Sequence, residues 1–287
     1  MPGLLQKPGL NSVARLHSME WMDSNPPSAW LPLTPNGVAA FARARTLRLL
    51  VVQVVAALMV GGVVGWVLYA NCFPTISRAI EQLPVSGEIR SQKLNWPPHA
   101  PQTLAEGRIL GLTVDPDHRA GMRSPAHVQV EFGRETFRVR SLFGMLEGRY
   151  PAGWIVAFNR TELEPLWGAW RSALLLGAMA ATAIGLLLCW WMLAALYSPL
   201  VRLLALYGDR ELDWAACWRL SGAALMPGAV LMIAALAIYG FGWMDLVALM
   251  FMFGMHWVVG WSYLIAGLMA ARSPGVVRRK NPFTPAK

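Results

Sequence analysis

His256 is the side chain of this sequence best suited to holding a metal-centred cofactor. It lies in an uncharged stretch, within Met255-His256-Trp257, and Trp261 follows about one helical turn later. A neutral imidazole nitrogen can ligate haem iron or a chlorophyll-type magnesium. It can equally donate a hydrogen bond to a carbonyl or hydroxyl of a neighbouring helix. Because the other uncharged stretches hold no second histidine, we expect no cofactor, with a haem or chlorophyll-type pigment at His256 as the alternative.

A second group of metal-ligand residue types lies between the first two uncharged stretches. The group comprises His99, His118, His127, Asp115 and Asp117. Asp115-Pro116-Asp117-His118 has ligand-like spacing, but Asp side chains that bond nearby backbone N–H groups in a turn give the same pattern. We expect a turn and no metal. The sequence also has no Gly-rich phosphate loop, GxSxG, HExxH or CxxC, so it predicts a non-enzymatic protein with no catalytic residues.

The elements that must position these residues are membrane helices. The chain of 287 residues is 55% hydrophobic and 14% charged, against about 25% charged in soluble domains. Four stretches lack Asp, Glu, Lys and Arg: 49–70, 172–197, 220–244 and 246–271. Each exceeds the roughly 20 residues that cross a hydrocarbon core as a helix. We predict a membrane α-helical bundle of four transmembrane helices, which excludes a soluble enzyme, a disordered chain and a disulfide scaffold.

Basic residues beside these spans predict the orientation. Arg43, Arg45 and Arg48 precede the first span, and the tail 272–287 is basic. Because Lys and Arg resist translocation, we expect both termini in the cytoplasm of a bacterial cell with the spans in its inner membrane. Most of the net charge of +9 then lies in basic clusters beside the membrane. Such clusters attract anionic lipid headgroups, at about 1 kcal/mol per residue, and we expect no nucleic acid partner. The surface anchors expected in the tail are Arg278, Arg279 and Lys280.

The cytoplasmic segments are expected to be an arm, a surface helix and a loop. The apolar residues of 1–33 follow no helical or strand period, which predicts a flexible arm. Residues 34–48 predict an amphipathic surface helix capped by Thr34. Residues 198–219 predict a loop with an interfacial helix. Its anchors are Trp214 and Trp218, because Trp favours the headgroup level, and Pro227 is expected to kink the third span.

Residues 71–171 predict a small β-rich domain outside the cytoplasm. Val128, Val130 and Phe132 alternate with Gln129 and Glu131, which is the pattern of a half-buried strand. A second alternation covers 137–141, and further strands are expected within 89–94, 109–114 and 154–158. We expect these strands to be mostly antiparallel.

Small residues four positions apart mark close helix contacts in two spans. They are Gly61 and Gly65 in the first span, and Gly177, Ala181 and Gly185 in the second. Such residues let helix backbones approach closely. We expect packing within the bundle, and docking of a partner subunit is the alternative.

Residues 218–227, WRLSGAALMP, resemble the amphipathic segment followed by Pro of Yip-type membrane proteins and their uncharacterised bacterial relatives. Those relatives also resemble this chain in carrying a β-rich extracytoplasmic insert after the first span, comparable to 94–144. The resemblance covers the layout of 35–271, although that family often has five spans and this chain has four. It implies a membrane-organising or partner-binding protein without known catalytic residues, and only Pro227 corresponds residue by residue.

Together these patterns predict a non-enzymatic scaffold or accessory subunit of a membrane complex, whose external domain binds a partner or ligand. Its expected partners are the lipid bilayer and other membrane protein subunits. A transport or permease component is one alternative, because of Pro227 and the Met-rich last span. Cofactor binding through His256 is the other.

Overall fold

A computed structural model of the chain describes residues 30–98, 100–119 and 121–271. The chain divides into two compact units. The first contains the chain up to Gln53, Trp190–Gly228 and the chain from Val258, and the second contains Val54–Cys189 and Ala229–Trp257. Most of the predicted arm 1–33 lies outside the described residues. So does the tail 272–287, with Arg278, Arg279 and Lys280.

Among the described residues, four helical segments are long and apolar enough to cross a membrane. They are Thr46–Glu81, Arg160–Tyr207, Trp214–Phe241 and Leu246–Ala270. The sequence predicts this number of apolar helices. Their component helices are α2 (Thr46–Val67), α3 (Phe73–Glu81), α4 (Arg160–Tyr207), α5 (Trp214–Ala224), α6 (Met226–Phe241) and α7 (Leu246–Ala270).

A short helix, α1 (Pro35–Phe41), precedes them, and Thr34 caps it by accepting from the Gly37 N–H at 3.1 Å. The expected single helix over 34–48 is replaced by α1, a turn and the start of α2. Arg219 donates from Nη2 to the carbonyl of Ala42 at 2.7 Å. The Ala42 carbonyl is thereby bonded to a side chain at the point where the helix is interrupted.

The long helices extend beyond the expected spans. A π-helical turn, Leu68–Cys72, joins α2 to α3 without a break. α4 has 48 residues and is about 70 Å long, so it contains the expected span 172–197 and part of the expected loop 198–219. Between α5 and α6 the helix is interrupted at Leu225, and Pro227 is the second residue of α6. Proline fits there because the first helical N–H groups need no intrahelical acceptor.

The β region consists of two sheets in the second unit. Their strands are β1 (Glu88–Arg90), β2 (Lys93–Asn95), β3 (Gln102–Glu106), β4 (Leu110–Val114), β5 (Val128–Phe132), β6 (Thr136–Ser141), β7 (Gly144–Arg149) and β8 (Ile155–Val156). One sheet is three-stranded, in the order β2-β1-β8, and the other is five-stranded, in the order β3-β4-β5-β6-β7. The pairing is antiparallel except between β4 and β5, so the strands are mostly antiparallel, as the sequence predicts.

The expected strand within 89–94 is instead a hairpin. Ser91 and Gln92 have φ angles of 50° and 64° and reverse the chain between β1 and β2. Successive left-handed residues suit the twist of a two-residue hairpin turn. β3 and β7 were absent from the sequence prediction, since neither alternates cleanly between apolar and polar residues.

β5 alternates as expected, but its most buried side chains are polar. Gln129 is 3% exposed and Glu131 is 1% exposed, whereas Val128, Val130 and Phe132 are only partly buried. Buried polar groups are stable only where they find partners. The face of β5 that carries Gln129 and Glu131 is therefore a buried polar surface that needs hydrogen-bond and ion-pair partners.

Each unit has its own apolar core. In the first unit Val38, Phe41, Leu49, Val201 and Leu220 are among the buried side chains. In the second unit the β region encloses Trp96, Val114 and Tyr150. The Tyr150 hydroxyl donates to the Gly133 carbonyl at 2.8 Å, and burial raises its pKa. The core of the second unit includes side chains of both sheets, among them Leu94 of β2 and Leu104 of β3.

Candidate functional site

An open cleft of about 740 Å³ lies in the second unit, between the five-stranded sheet and the start of α7. Its apolar lining includes Leu142 and Met145 from the β6–β7 hairpin and Leu246 and Val247 from α7. Its polar lining comprises Arg123, Ser124, His127, Gln129, Arg140, Ser141 and Asp245. The cleft thus combines cationic, anionic and apolar surface, which is the usual composition of a ligand site.

Gln129 holds the loop that carries Arg123 at the edge of the cleft. Its Nε2 donates to Thr113 Oγ1 at 3.2 Å and to the Met122 carbonyl at 2.7 Å. Its Oε1 accepts from the Ser124 N–H at 3.1 Å. Arg123 lies between these two attachment points. It is exposed and has no ion-pair partner among the residues that the structure describes.

Glu131 lies behind the cleft as a buried carboxylate with His118 and two arginines beside it, and its Oε2 makes an ion pair but no hydrogen bond. His118 Nδ1 is 2.5 Å from Oε1, and Arg140 Nη2 is 3.1 Å from Oε2. Arg138 Nη1 is 3.9 Å from Oε1. The guanidinium of Arg140 also lines the cleft, so its position is set from behind by the carboxylate. Buried charges persist where opposite charges and hydrogen bonds surround them.

The network reaches the surface through Arg138. Its Nε donates to Glu147 Oε2 at 3.0 Å, and this hydrogen bond is the main reason that the pKa of Glu147 lies below its usual value. On the other side, His118 Nε2 lies 2.9 Å from Thr136 Oγ1. The sheet therefore carries a polar network that runs from Thr136 to Glu147.

The opposite wall of the cleft is fixed by Arg108, His127 and Tyr239. His127 Nδ1 lies 2.5 Å from the Tyr239 hydroxyl, and the Arg108 guanidinium lies 4.8 Å from the centre of the Tyr239 ring. Arg108 also donates to the carbonyls of Tyr239 and Met244. These contacts attach the strand region at 108–127 to the end of α6.

The electrostatic environment of His127 favours the neutral imidazole. Burial lowers its pKa, the positive charge of Arg108 lowers it further, and Asp245 opposes both effects. Asp245 itself caps α7, since its Oδ1 accepts from the Ala248 N–H at 2.7 Å. The cleft therefore presents a neutral hydrogen-bonding imidazole, a carboxylate and the guanidinium groups of Arg123 and Arg140.

The expected turn at Asp115-Pro116-Asp117-His118 is confirmed. The His118 N–H donates to the Asp115 carbonyl at 3.1 Å, and His118 has a φ of 55°. Its imidazole bonds Glu131 and Thr136. Within the described residues, no group of three or more His, Cys, Asp and Glu side chains could hold a metal ion. His99 lies outside the described residues.

His256 lies on α7 between two aromatic rings. Its Nδ1 donates to the Phe253 carbonyl, and the ring centroids of Phe253 and Trp257 lie 4.8 Å and 5.2 Å from its own. The acceptor belongs to the same helix, whereas the sequence suggested a neighbouring one. Because Nδ1 is the donor, Nε2 of the neutral ring carries the lone pair that a metal would need.

The two runs of small residues differ in their surroundings. A Cβ added at Gly61 would lie 2.8 Å from the Met179 carbonyl oxygen, and one added at Gly65 would lie 2.6 Å from the Met179 sulfur. A Cβ at Gly177 or Gly185 would meet nothing within 4 Å, and Ala181 is exposed. The first run thus lies against α4. The second leaves a small-residue surface open.

The expected surface anchors lie in the first unit. Arg43, Arg45 and Arg48 are exposed, and the guanidinium of Arg48 lies 5.5 Å from the Trp30 ring centroid. Trp214 is 54% exposed, with the Arg202 guanidinium 4.9 Å from its ring centroid, whereas Trp218 is half-buried. Trp214 thus presents an aromatic and cationic surface, as interfacial anchors do.

The sequence prediction missed Arg123, Arg140, Glu131 and Tyr239. A signal for part of this set was present in the two alternating strands. Paired in register, they place Glu131 opposite Arg138 and Gln129 opposite Arg140. Opposite charges across a strand pair stabilise each other, so the pairing of these two alternating strands is a sequence signal for a polar network on this face.

Comparison of the chain with protein-family models, with curated proteins and with solved structures gives no match. The geometry of the cleft and of the helices is therefore the basis for a functional proposal.

Proposed function

We propose that this chain is a non-enzymatic multi-pass protein of a bacterial inner membrane, a scaffold or accessory subunit whose β region binds a partner or ligand. The observation that carries the proposal is the cleft, with Arg123 and Arg140 beside apolar walls. The resemblance of residues 218–227 to a segment of Yip-type membrane proteins is in line with a membrane-organising or partner-binding role.

Insertion in a membrane is supported by the exposed surface of α4. Leu174, Leu188, Met192 and Leu196 are between 52% and 72% exposed. An apolar surface of this extent is unfavourable in water, and a helix satisfies its own backbone groups in lipid. The basic residues at 43–48 support cytoplasmic termini, with the β region on the other side of the membrane.

Binding at the cleft is supported by how its cations are held. Gln129 fixes both sides of the loop around Arg123, and Glu131 fixes Arg140 from behind. The loop backbone at Arg123 and the Arg140 guanidinium are therefore already positioned, and such groups lose little conformational entropy when a ligand binds. The apolar side chains of Leu142 and Val247 would supply the buried area.

The test is purification in a mild detergent, followed by quantitative mass spectrometry of subunits and small molecules. Arg123→Glu reverses a cleft charge, and Arg119→Glu makes the same change at an exposed residue outside the cleft lining. We expect a stoichiometric component that is retained by the Arg119 variant and lost from the Arg123 variant. A ligand-free monomer, or a component retained equally by both variants, would contradict the proposal.

Two other functions are each favoured by one observation. Because Nδ1 of His256 donates to the Phe253 carbonyl, the lone pair on Nε2 favours a haem or chlorophyll-type pigment. An absorption spectrum tests this alternative, because a visible band must disappear in His256→Phe. The interruption at Leu225 before Pro227 favours a transport or permease component. Solute uptake by proteoliposomes that is unchanged in Pro227→Ala would contradict a role for that interruption in transport.

A further inference from the structure

The tip of the β6–β7 hairpin carries four large apolar side chains that are more than half exposed. Leu142 is 57% exposed, Phe143 78%, Met145 58% and Leu146 67%. β7 is the edge strand of its sheet. We call residues 142–146 the hairpin tip. Exposed apolar clusters of this kind mark surfaces that meet another apolar phase or molecule.

The two faces of the strand at the hairpin tip are both exposed. Met145 and Leu146 are neighbours in β7, so their side chains leave the strand in opposite directions. They pair with Arg140 and Val139 of β6. A protein docking on one face of the sheet would cover one of the two. A surrounding fluid apolar phase covers both at once.

The hairpin tip lies beside the start of an apolar helix. Leu142 and Met145 line the same cleft as Leu246 and Val247, the first two residues of α7. Val247 is itself 63% exposed. The apolar surface of the hairpin tip is thus continued across the cleft by the exposed surface of a helix long and apolar enough to cross a membrane.

An exposed tryptophan marks the level at which that helix begins. Trp243 is 80% exposed and precedes α7 in the turn that contains Asp245. Tryptophan concentrates at the headgroup level of a bilayer. In a bilayer crossed by α7, a hairpin tip beside Leu246 and Val247 would lie at the boundary between headgroups and acyl chains.

We propose that the hairpin tip inserts into the acyl boundary of the bilayer in which the helices of this chain lie. The partner surface is phospholipid, and the insertion fixes the β region against the membrane. The proposal rests on the proposed membrane insertion of the helices.

The test places the photoreactive p-benzoylphenylalanine at single positions of the full-length chain in proteoliposomes of phosphatidylethanolamine and phosphatidylglycerol. It replaces Phe143 in the hairpin tip, and it replaces Glu135, exposed at the other end of β6, as the matched control. Leu188, exposed on α4, is the positive control for insertion of the helices. Lipid adducts are measured by mass spectrometry after irradiation.

We expect several-fold more lipid adduct at position 143 than at position 135, and strong adduct formation at position 188. Adducts at 188 with none above the control level at 143 would overturn the proposal while leaving membrane insertion intact. No adduct at 188 would overturn the insertion on which it rests. Crosslinking of position 143 to a second copy of the chain would identify a dimer contact and also overturn it.

The replacement at 143 is conservative because it keeps an aromatic ring on an exposed turn. Folding is checked by comparing the thermal unfolding of each labelled chain with that of the unmodified protein. A second measurement places the photoreactive residue at position 146, in place of Leu146, and compares lipid adducts there with and without the change Phe143→Asp. A charged residue in the acyl boundary is unfavourable, so we expect Phe143→Asp to reduce lipid adducts at position 146. Unchanged adducts there would also contradict the proposal.

Discussion

Nδ1 of His118 lies 2.5 Å from Oε1 of Glu131, and the Glu131 side chain is 1% exposed. This pair forms the centre of a polar network on the face of β5 that is more buried than its apolar face. The network holds Arg140 at the cleft. It therefore connects the stability of the sheet to the position of a cation in the candidate site.

Removing the buried carboxylate is expected to destabilise the β region strongly. Glu131→Gln leaves Arg138 and Arg140 without their shared anion, which for buried pairs costs about 3–5 kcal/mol. Because these guanidinium groups are partly exposed, we expect a loss near the lower limit. Chemical unfolding monitored together with limited proteolysis of 71–171 measures it.

The matched control for Glu131→Gln is Glu147→Gln. Glu147 also pairs with Arg138, at 3.0 Å, but is exposed. Exposed ion pairs contribute little, so we expect a far smaller effect. Equal destabilisation by the two variants would show that burial of Glu131 is not important.

The hydrophobicity pattern alone could predict the long helices but not the site. Uncharged stretches of this length identify the four apolar segments, because only a helix of about 20 apolar residues satisfies its backbone in lipid. The end of α4 at Tyr207 and the merging of α2 with α3 were not predictable, since helices continue through polar ends where nothing interrupts them. Thr34 was predictable because its cap is local in sequence.

The burial of the polar face of β5 could not be predicted from that strand alone, because burial of a charge depends on distant residues. Gln129 and Glu131 are buried only because Met122, His118 and Arg140 supply partners. A single strand does not contain this information. Similarly, the contact between His127 and Tyr239 joins residues 112 positions apart, and no local spacing indicates it.

The contact between His127 and Tyr239 is expected to weaken in acid. Burial and Arg108 lower the pKa of His127 in the folded protein below its unfolded value of about 6.5. A depressed pKa means that the folded state prefers the neutral ring. The stability contributed by the neutral ring is complete above about pH 6.5 and is lost as pH falls through the folded pKa.

We therefore expect the unfolding temperature of the wild type to fall relative to that of His127→Asn between pH 7.5 and pH 5. Asparagine keeps a hydrogen-bonding group but does not titrate in this range. Thermal unfolding of both proteins in the same detergent measures the difference. A constant difference across this pH range would contradict the assignment of the transition to His127.

A methyl group at Gly61 is expected to disrupt the contact between α2 and α4. In Gly61→Ala the new Cβ would lie 2.8 Å from the backbone oxygen of Met179, which cannot rotate away. Overpacking of this kind costs about 1–3 kcal/mol, more than alanine gains in a helix. We expect lower thermal stability in detergent for this variant.

Gly65 and Gly177 provide the controls for this packing prediction. At Gly65 the neighbour is the flexible Met179 side chain, and at Gly177 nothing lies within 4 Å. Gly65→Ala is therefore expected to cost less than Gly61→Ala. Gly177→Ala is expected to be neutral or stabilising by up to about 1 kcal/mol. Loss of a copurifying subunit from a folded Gly177→Leu variant would instead support a partner interface there.

Gln53 and Trp191 are expected to be energetically coupled within the first unit. The Trp191 Nε1 donates to Gln53 Oε1 at 3.1 Å, and the Gln53 side chain is fully buried. Gln53→Leu leaves the indole N–H without this acceptor, and Trp191→Phe leaves the amide oxygen without its donor. Because each single change leaves an unpaired polar group, the double variant is expected to lose less stability than the sum of the two single variants.

Reversible unfolding of the three variants measures the coupling energy. Hydrogen bonds between membrane helices average about 0.6 kcal/mol in such double-mutant cycles. Gln53→Leu combined with Trp214→Phe is the control, because no hydrogen bond joins these two residues in the part of the chain that the structure describes. The two changes are expected to be additive, and equal coupling in both cycles would contradict a specific bond between Gln53 and Trp191.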